Sequence, residues 1–246
     1  MNTYVFSDLH SQYNLWGQLK NYIKPEDKAY CLGDCIDRGP AAFEILTEIM
    51  DAPNIILLCG NHEDFINSIG SEIIPYIEEG FHWSHPKMSL WRANGAEKTI
   101  KAFCKMTPLK RLQLIDKIKS LPTHIEYTNT KGDIIYLCHA GRQPDTAEIP
   151  DMHMGSIPMN NYIWDRSHIS DLLWRGKDNE YCIHGHTPVG YIYHFLNDLE
   201  KPPPSQFEIY KYCEGHKIDI DLGSFYTNRA CLLNLDTFEP IYFKEK

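Results

Sequence analysis

Residues 29–39 read AYCLGDCIDRG, and this stretch decides the fold. An apolar run from Ala29 to Leu32 stops at Gly33-Asp34 and opens into a polar loop that ends in Arg38-Gly39. A short apolar run closed by turn residues is the pattern of a buried strand. Helical spacing follows Pro40, from Ala41 to Met50. The same order recurs on both sides. Upstream, Tyr4 to Ser7 reads as a strand, Asp8 to Ser11 as a polar loop and Tyr13 to Ile23 as a helix. Downstream, Asn54 to Cys59 reads as a strand opening into Gly60-Asn61-His62-Glu63, with a helix starting near Asp64. Three strand–loop–helix units in succession predict a βαβ sheet, whose ligands gather at the carboxyl ends of its strands.

Beyond these units the period changes. Phe65 to Ser120 is largely helical, with breaks at Pro75, Gly80, Pro86 and Pro108, and is expected to form a cap or insertion at about 65–120. From His124 onward the chain is strand-rich: HIEYT, DIIYLC, YCIHG, YIYHF, KIDIDLG, ACLLNL and PIYF. Lys201-Pro202-Pro203-Pro204 reads as a loop, because proline cannot join a central ladder.

The bulk numbers narrow the class. With 246 residues, 43% of them hydrophobic and 23% charged, the chain can bury a core without staples. A net charge of −9 argues against a nucleic-acid partner. Eight cysteines occur without a CxxC pair, several inside apolar runs, which predicts reduced, buried thiols. No basic leader precedes Thr3 and no apolar stretch approaches membrane-spanning length, so a cytoplasmic protein without a membrane partner is expected.

Five segments carry the chemistry: Asp8-Leu9-His10, Gly33 to Gly39, Gly60-Asn61-His62-Glu63, Cys138-His139-Ala140-Gly141 and His184-Gly185-His186-Thr187-Pro188. Each follows an apolar run. Taken singly, each is an ordinary turn, cap or core histidine. Together they collect carboxylate, imidazole and amide oxygen, which suit Mn, Fe or Zn. If extended spacing continues past Ser7, Asp8 and His10 share a face and can bind one ion. Asp34 can bridge two ions about 3.5–4 Å apart, a pair that would clamp a phosphate and acidify a water. His82 and His85, with His153, His168, His194 and His216, read as surface, and Lys98 to Arg111 as a solvated basic face.

These blocks resemble the D-x-H, G-D-x-x-D-R-G, G-N-H-E, H-A-G and G-H-T-P motifs of the calcineurin-like metallophosphoesterases, within them the bacterial and phage-type phosphoprotein phosphatases. Trp91 to Thr99, Leu121-Pro122, Trp164 to Arg166 and Asp221 to Ser224 extend the resemblance over nearly the whole chain. It implies one α/β domain over residues 1–246, with two stacked mixed β-sheets flanked by helices in four layers. It implies that Asp8, His10 and Asp34 hold one ion, and Asp34, Asn61, His139 and His186 a second. His186, not His184, matches the G-H-T histidine. Pro188 stands where the wider superfamily can place another ligand histidine. The implied cofactor is two divalent or trivalent ions, manganese in vitro, with Fe, Zn, Ni and Co as alternatives. Arg38 and Arg166 would face the phosphate, with Asn61 beside them and Arg175 as the substitute for Arg166. His62 would protonate the leaving oxygen, oriented and kept cationic by Asp37. Ser7, Ser11 and Ala96 stand where the family shows glycine.

The expected activity is hydrolysis of a phosphate monoester by a metal-activated water, on serine or threonine of a phosphoprotein, with dual specificity that includes tyrosine as the wider form of the same expectation. A symmetrical diadenosine tetraphosphate hydrolase is the alternative within the family. An inactive binding scaffold and a nuclease are the alternatives of other classes. The partner is a phosphorylated protein or small phosphoester, and the oligomeric state stays open.

Overall fold

The computed structural model describes residues 1–78, 86–142, 152–154, 157–159, 161–170, 174, 176–196 and 205–245. In chain order the elements are β1 (Thr3–Phe6), α1 (Tyr13–Tyr22), β2 (Lys28–Cys31), α2 (Glu44–Asp51), β3 (Ile55–Leu57), α3 (Asn61–Glu78), α4 (Pro86–Ala93), α5 (Glu97–Lys105) and α6 (Pro108–Lys119). There follow β4 (His124–Thr128), β5 (Ile134–Cys138), β6 (Met152–Met154), β7 (Ile157–Met159), α7 (Asn161–Trp164), α8 (Ser167–Ser170), β8 (Glu180–His184), α9 (Val189–Ile192), β9 (Tyr210–Tyr212), β10 (Lys217–Asp219), α10 (Ser224–Thr227), β11 (Arg229–Asn234) and β12 (Pro240–Lys244).

Two mixed five-stranded sheets form the frame, ordered β12-β11-β1-β2-β3 and β4-β5-β8-β10-β9. In the first, β1, β2 and β3 are parallel, with Phe6 level with Cys31 and Cys31 with Leu57. In the second, β5, β8 and β10 are parallel, with Leu137 level with Ile183 and Asp219 with His184. Strands that end level place their following loops side by side, and this sets out the site.

Side-chain alternation explains the layers. Val5, Tyr30 and Leu32 join Ile135, Leu137, Ile183 and Ile218 in the core between the sheets. The opposite face of the first sheet, with Tyr4, Phe6, Cys31 and Leu57, packs on Trp16, Ile45, Phe65, Ile69 and Ile100 from the helices. Each fully buried aliphatic side chain contributes about 1.5–3 kcal/mol. The segment expected as a cap carries α3 to α6, whose buried side chains belong to the same cluster as those of α1 and α2. All eight cysteines are free, and all but Cys104 are buried.

Several local expectations change. The helix after Pro40 starts at Glu44, because the chain is first tethered back by Ala41 N donating to Ser11 O. α3 starts at Asn61 and runs through Pro75. Proline removes one ladder bond there, but Phe65, Ile66, Ile69 and Ile73 form a continuous buried stripe that holds the helix. Pro86 and Pro108 begin helices instead of breaking them, and at α6 Thr107 caps Lys110 N ahead of Pro108. The YIYHF segment is not a strand. α9 forms there after Pro188, with Tyr191 N donating to Pro188 O. Its aromatic composition favoured a strand, yet among the described residues it pairs with none. Arg111, expected on the solvated face, is buried and donates to Cys104 O at the end of α5. His168 is buried too, packed on Gly141 and donating from Nδ1 to Arg142 O. His82, His85, Arg175 and the 201–204 loop lie outside the described residues, as does the side chain of His153.

Candidate metal centre

Asp8, His10, Asp34, Asp37, Arg38 and His186 all adopt positive φ, from 41° to 69°. Asp8 and His10 therefore do not converge by extended spacing, as the sequence suggested. Their loop turns left-handed and is laced to the loop after β2: Asp8 N donates to Gly33 O, His10 N to Asp34 O and Ser11 N to Cys35 O, at 2.9–3.1 Å. Asp and His tolerate this region better than most residues, and such strain concentrates where the fold over-determines it. Glycines permit the close approach. A Cβ on Gly60 would stand 2.3 Å from Asp34 Oδ1, and one on Gly185 2.1 Å from Asp8 Oδ2. Ser7, at a family glycine position, instead donates its hydroxyl to Asp8 Oδ2.

The N-terminus of α3 joins two of these loops. Gly60 has no side chain to cap the helix. Asp34 Oδ1 accepts His62 N at 3.0 Å in its place. Glu63 reaches back to Gly60 N (3.1 Å) and also accepts Asp34 N (2.7 Å) and Cys35 N (2.8 Å). This is the reciprocal half of a capping box, extended to a neighbouring loop. Sequence reasoning passed over Glu63. Its position three residues after Gly60, at a helix start, was the available signal.

Two groups of ligating atoms result among the described residues: His10, Asp34 and His62, and Asp34, His139 and His186. Within each the atoms lie within 4.8 Å of one another, and Asp34 belongs to both. Asp8 stands beside the first, 4.0 Å from His10 Nε2. His10 Nδ1 donates to Ile36 O and His139 Nδ1 to Leu32 O, so both rings turn a lone pair at Nε2 toward the centre. His139 Nε2 meets Asn61 Oδ1 at 3.0 Å and Asp34 Oδ1 at 3.4 Å, three acceptors face to face. His186 Nδ1 lies 2.8 Å from the same Asn61 oxygen, while His184 bonds Tyr212 OH instead. Asp8 Oδ1 and His186 Nε2 are buried without a hydrogen-bond partner.

The electrostatics agree. Burial, then the Asp8 and Glu63 charges, pushes Asp34 well above the carboxylate range. Burial, then Arg38, pushes His10 well below the imidazole range, and burial, then Arg166, does so for His186. Converging lone pairs, orphaned acceptors and acids that resist ionisation are what divalent cations would relieve, so the donor set fits a pair of ions.

The acid and phosphate groups sit beside this set. His62 Nδ1 donates to Asp37 Oδ2 at 2.7 Å, and Trp91 Nε1 donates to the same oxygen at 2.8 Å. Arg38 donates to His10 Nε2 (2.8 Å) and His62 Nε2 (3.1 Å). A cationic His62 was expected. Burial and the Arg38 charge instead lower its pKa well below the usual value, and burial raises Asp37 to about 7. Arg166 Nε donates to Thr187 Oγ1 at 3.0 Å. Trp91 and Thr187 were quoted as parts of motifs, but their contacts link segments 54 and 21 residues apart and carry no local signal.

The model of the calcineurin-like phosphoesterase family matches residues 1–220. A Caenorhabditis elegans protein, provisionally named a serine/threonine-protein phosphatase, is 41% identical over 235 residues, 93% of this chain and 56% of that protein. The chain thus spans little more than half the length of that relative. Among solved structures, a provisionally described diadenosine tetraphosphatase superposes with a TM-score of 0.60 at 12% identity, covering 98% of this chain and 92% of that one. A metallophosphoesterase from Sphaerobacter thermophilus does so with 0.56 at 16%, covering 100% and 89%. These two likenesses are of fold. The chain belongs to the calcineurin-like phosphoesterase family.

Proposed function

We propose that the chain is a metal-dependent phosphomonoesterase that dephosphorylates serine and threonine residues of proteins, with tyrosine as a further substrate. One observation carries this reading: Asp34 is shared by two groups of ligating atoms, and His62 and Arg38 stand against it. Asp8, His10 and Asp34 would hold one ion, and Asp34, Asn61, His139 and His186 the other. When bound, such a pair, manganese in vitro, supplies Lewis acidity and lowers the pKa of a water.

The chain's own groups do the rest. Arg38 and Arg166 hold phosphate oxygens, for which a planar guanidinium is suited. Arg38 now occupies His62 Nε2. A phosphate that takes those donors frees the nitrogen to carry a proton, while Asp37 and Trp91 hold the ring. An alkoxide is strongly basic and needs that proton as it leaves. The name of the 41% identical relative favours a protein substrate.

The test is a screen of manganese-reconstituted protein on phosphopeptides, aryl phosphates and dinucleotides, beside Asp34→Asn. Phosphopeptide turnover that Asp34→Asn abolishes is the expected result. Preferential cleavage of a dinucleotide overturns the protein-substrate reading, and binding without turnover of any ester overturns the enzyme reading.

A further inference from the structure

We propose that a cleft beside Arg38, walled by Phe225 and Tyr226, is a subsite for a planar aromatic group carried on the leaving-group side of the substrate. The inference rests on the phosphoesterase reading above and adds the chemistry of the alcohol.

The cleft measures about 320 Å³ and is lined by Arg38, Ala93, Asn94, Gly95, Phe225 and Tyr226. That is within the size range of small-molecule sites, roughly 300–1,000 Å³. Its floor is the Arg38 side chain. Arg38 N donates to Gly95 O at 2.8 Å, and a Cβ on Gly95 would stand 2.9 Å from Arg38 Cγ, so the stem lies flat across a bare glycine. The far end of the same side chain touches His62 Nε2. One residue therefore spans from the nitrogen that faces the leaving oxygen to the floor of the cleft, and the group bearing that oxygen has the cleft as its neighbour.

The walls are a pair of open aromatic rings. Phe225 is 40% exposed and Tyr226 64%, with ring centroids 5.2 Å apart at an interplanar angle of 76°. Large aromatic rings left open at an active-site rim mark a binding surface. Their short helix is anchored to the site itself. Ser224 Oγ donates to Asp8 O, Gly223 N to Asp221 Oδ1 and Thr227 Oγ1 to Leu222 O. The rings are thus presented on backbone that is bonded to a proposed ion ligand. Among the described residues no carboxylate lines the cleft, so none of them repels an incoming phosphate ester. Aromatic faces and edges select other rings over alkyl groups. The ring has two possible sources, a tyrosyl side chain or a nucleobase.

The experiment uses manganese-loaded wild type, Tyr226→Ala and Tyr226→Phe. It measures kcat/KM on a phosphotyrosyl peptide, the matching phosphoseryl peptide and a nucleoside monophosphate. Calorimetric affinities for phenylphosphonate and methylphosphonate are taken in parallel. Tyr226→Ala is expected to lower the aromatic-over-alkyl ratio about 10-fold in both measurements, and Tyr226→Phe to keep it. The aromatic substrate that loses more names the source of the ring. Equal changes on aromatic and alkyl ligands overturn the subsite. If wild type cleaves no ester, the enzyme reading fails while the phosphonate affinities still decide the subsite.

Discussion

Asp37 shows how far one side chain reaches: its Oδ2 receives His62 Nδ1 and Trp91 Nε1, and so orients the ring proposed as the proton donor. Replacing His62 should therefore expose which substrates need a proton. We expect His62→Asn to lower kcat by about 10²–10⁴ on a phosphoseryl peptide, and much less on p-nitrophenyl phosphate, whose leaving group is stable as an anion. A uniform loss on both would refute the proton-donor role. Trp91→Phe keeps the ring packing but removes the indole donor to a buried carboxylate. A loss of about 10-fold or more in kcat, with KM little changed, is expected from steady-state kinetics, since hydrogen bonds to charged groups are worth about 1.5–3 kcal/mol. The residue types and their order were legible in the sequence. The αL backbone that aims Asp8 and His10 was not, because the left-handed turn is imposed by bonds to the neighbouring loop.

At the scale of elements, α3 depends on a cap borrowed from another loop, with Asp34 and Glu63 serving Gly60, which has no side chain. Gly60→Ala drives a methyl into Asp34 and should cost about 1–3 kcal/mol in urea unfolding, with weakened manganese binding by titration. Wild-type stability in that variant would show that the loops have slack. α1 and α2 are tied at Glu48, which accepts Lys20 Nζ, the Tyr13 hydroxyl and Trp16 Nε1. The Lys20 contact first, then Tyr13 and Trp16, holds its carboxyl near 2, below the usual 4.5. A depressed acid stabilises the fold above its unfolded pKa and loses that contribution as pH falls through the folded value. Solvent screening leaves about 1 kcal/mol. Wild type should exceed Glu48→Gln by that amount above pH 4.5, and the gap should close by about pH 2 in denaturant titrations. Strand ends were legible because apolar runs stop at polar loops. YIYHF misled because its aromatic residues fit a strand, but Pro188 starts a helix.

For the whole molecule, two sheets with level strand ends bring residues from Asp8 to His186 to one rim, where buried acceptors face each other. Ions that bind the fold but not the unfolded chain stabilise it by mass action, about 2.7 kcal/mol at a hundredfold excess over Kd. Chelating manganese should lower Tm by about 5–10 °C, and Asp34→Asn should show no such shift. An unchanged Tm in wild type would remove the case for a metal centre. Among the described residues no helix is long and apolar enough to cross a membrane. By itself the amino-acid order determined the strand–loop–helix units, the ligand chemistry at each strand end and the family, since all of these are written in neighbouring residues. Only the tertiary structure decided that Glu63 joins two loops, that Arg111 and His168 are buried, that Trp91 holds Asp37, and that Phe225 and Tyr226 stand open beside Arg38. Those relations join side chains far apart along the chain, and packing, which answers to distance in space and not in sequence, is what brings them together.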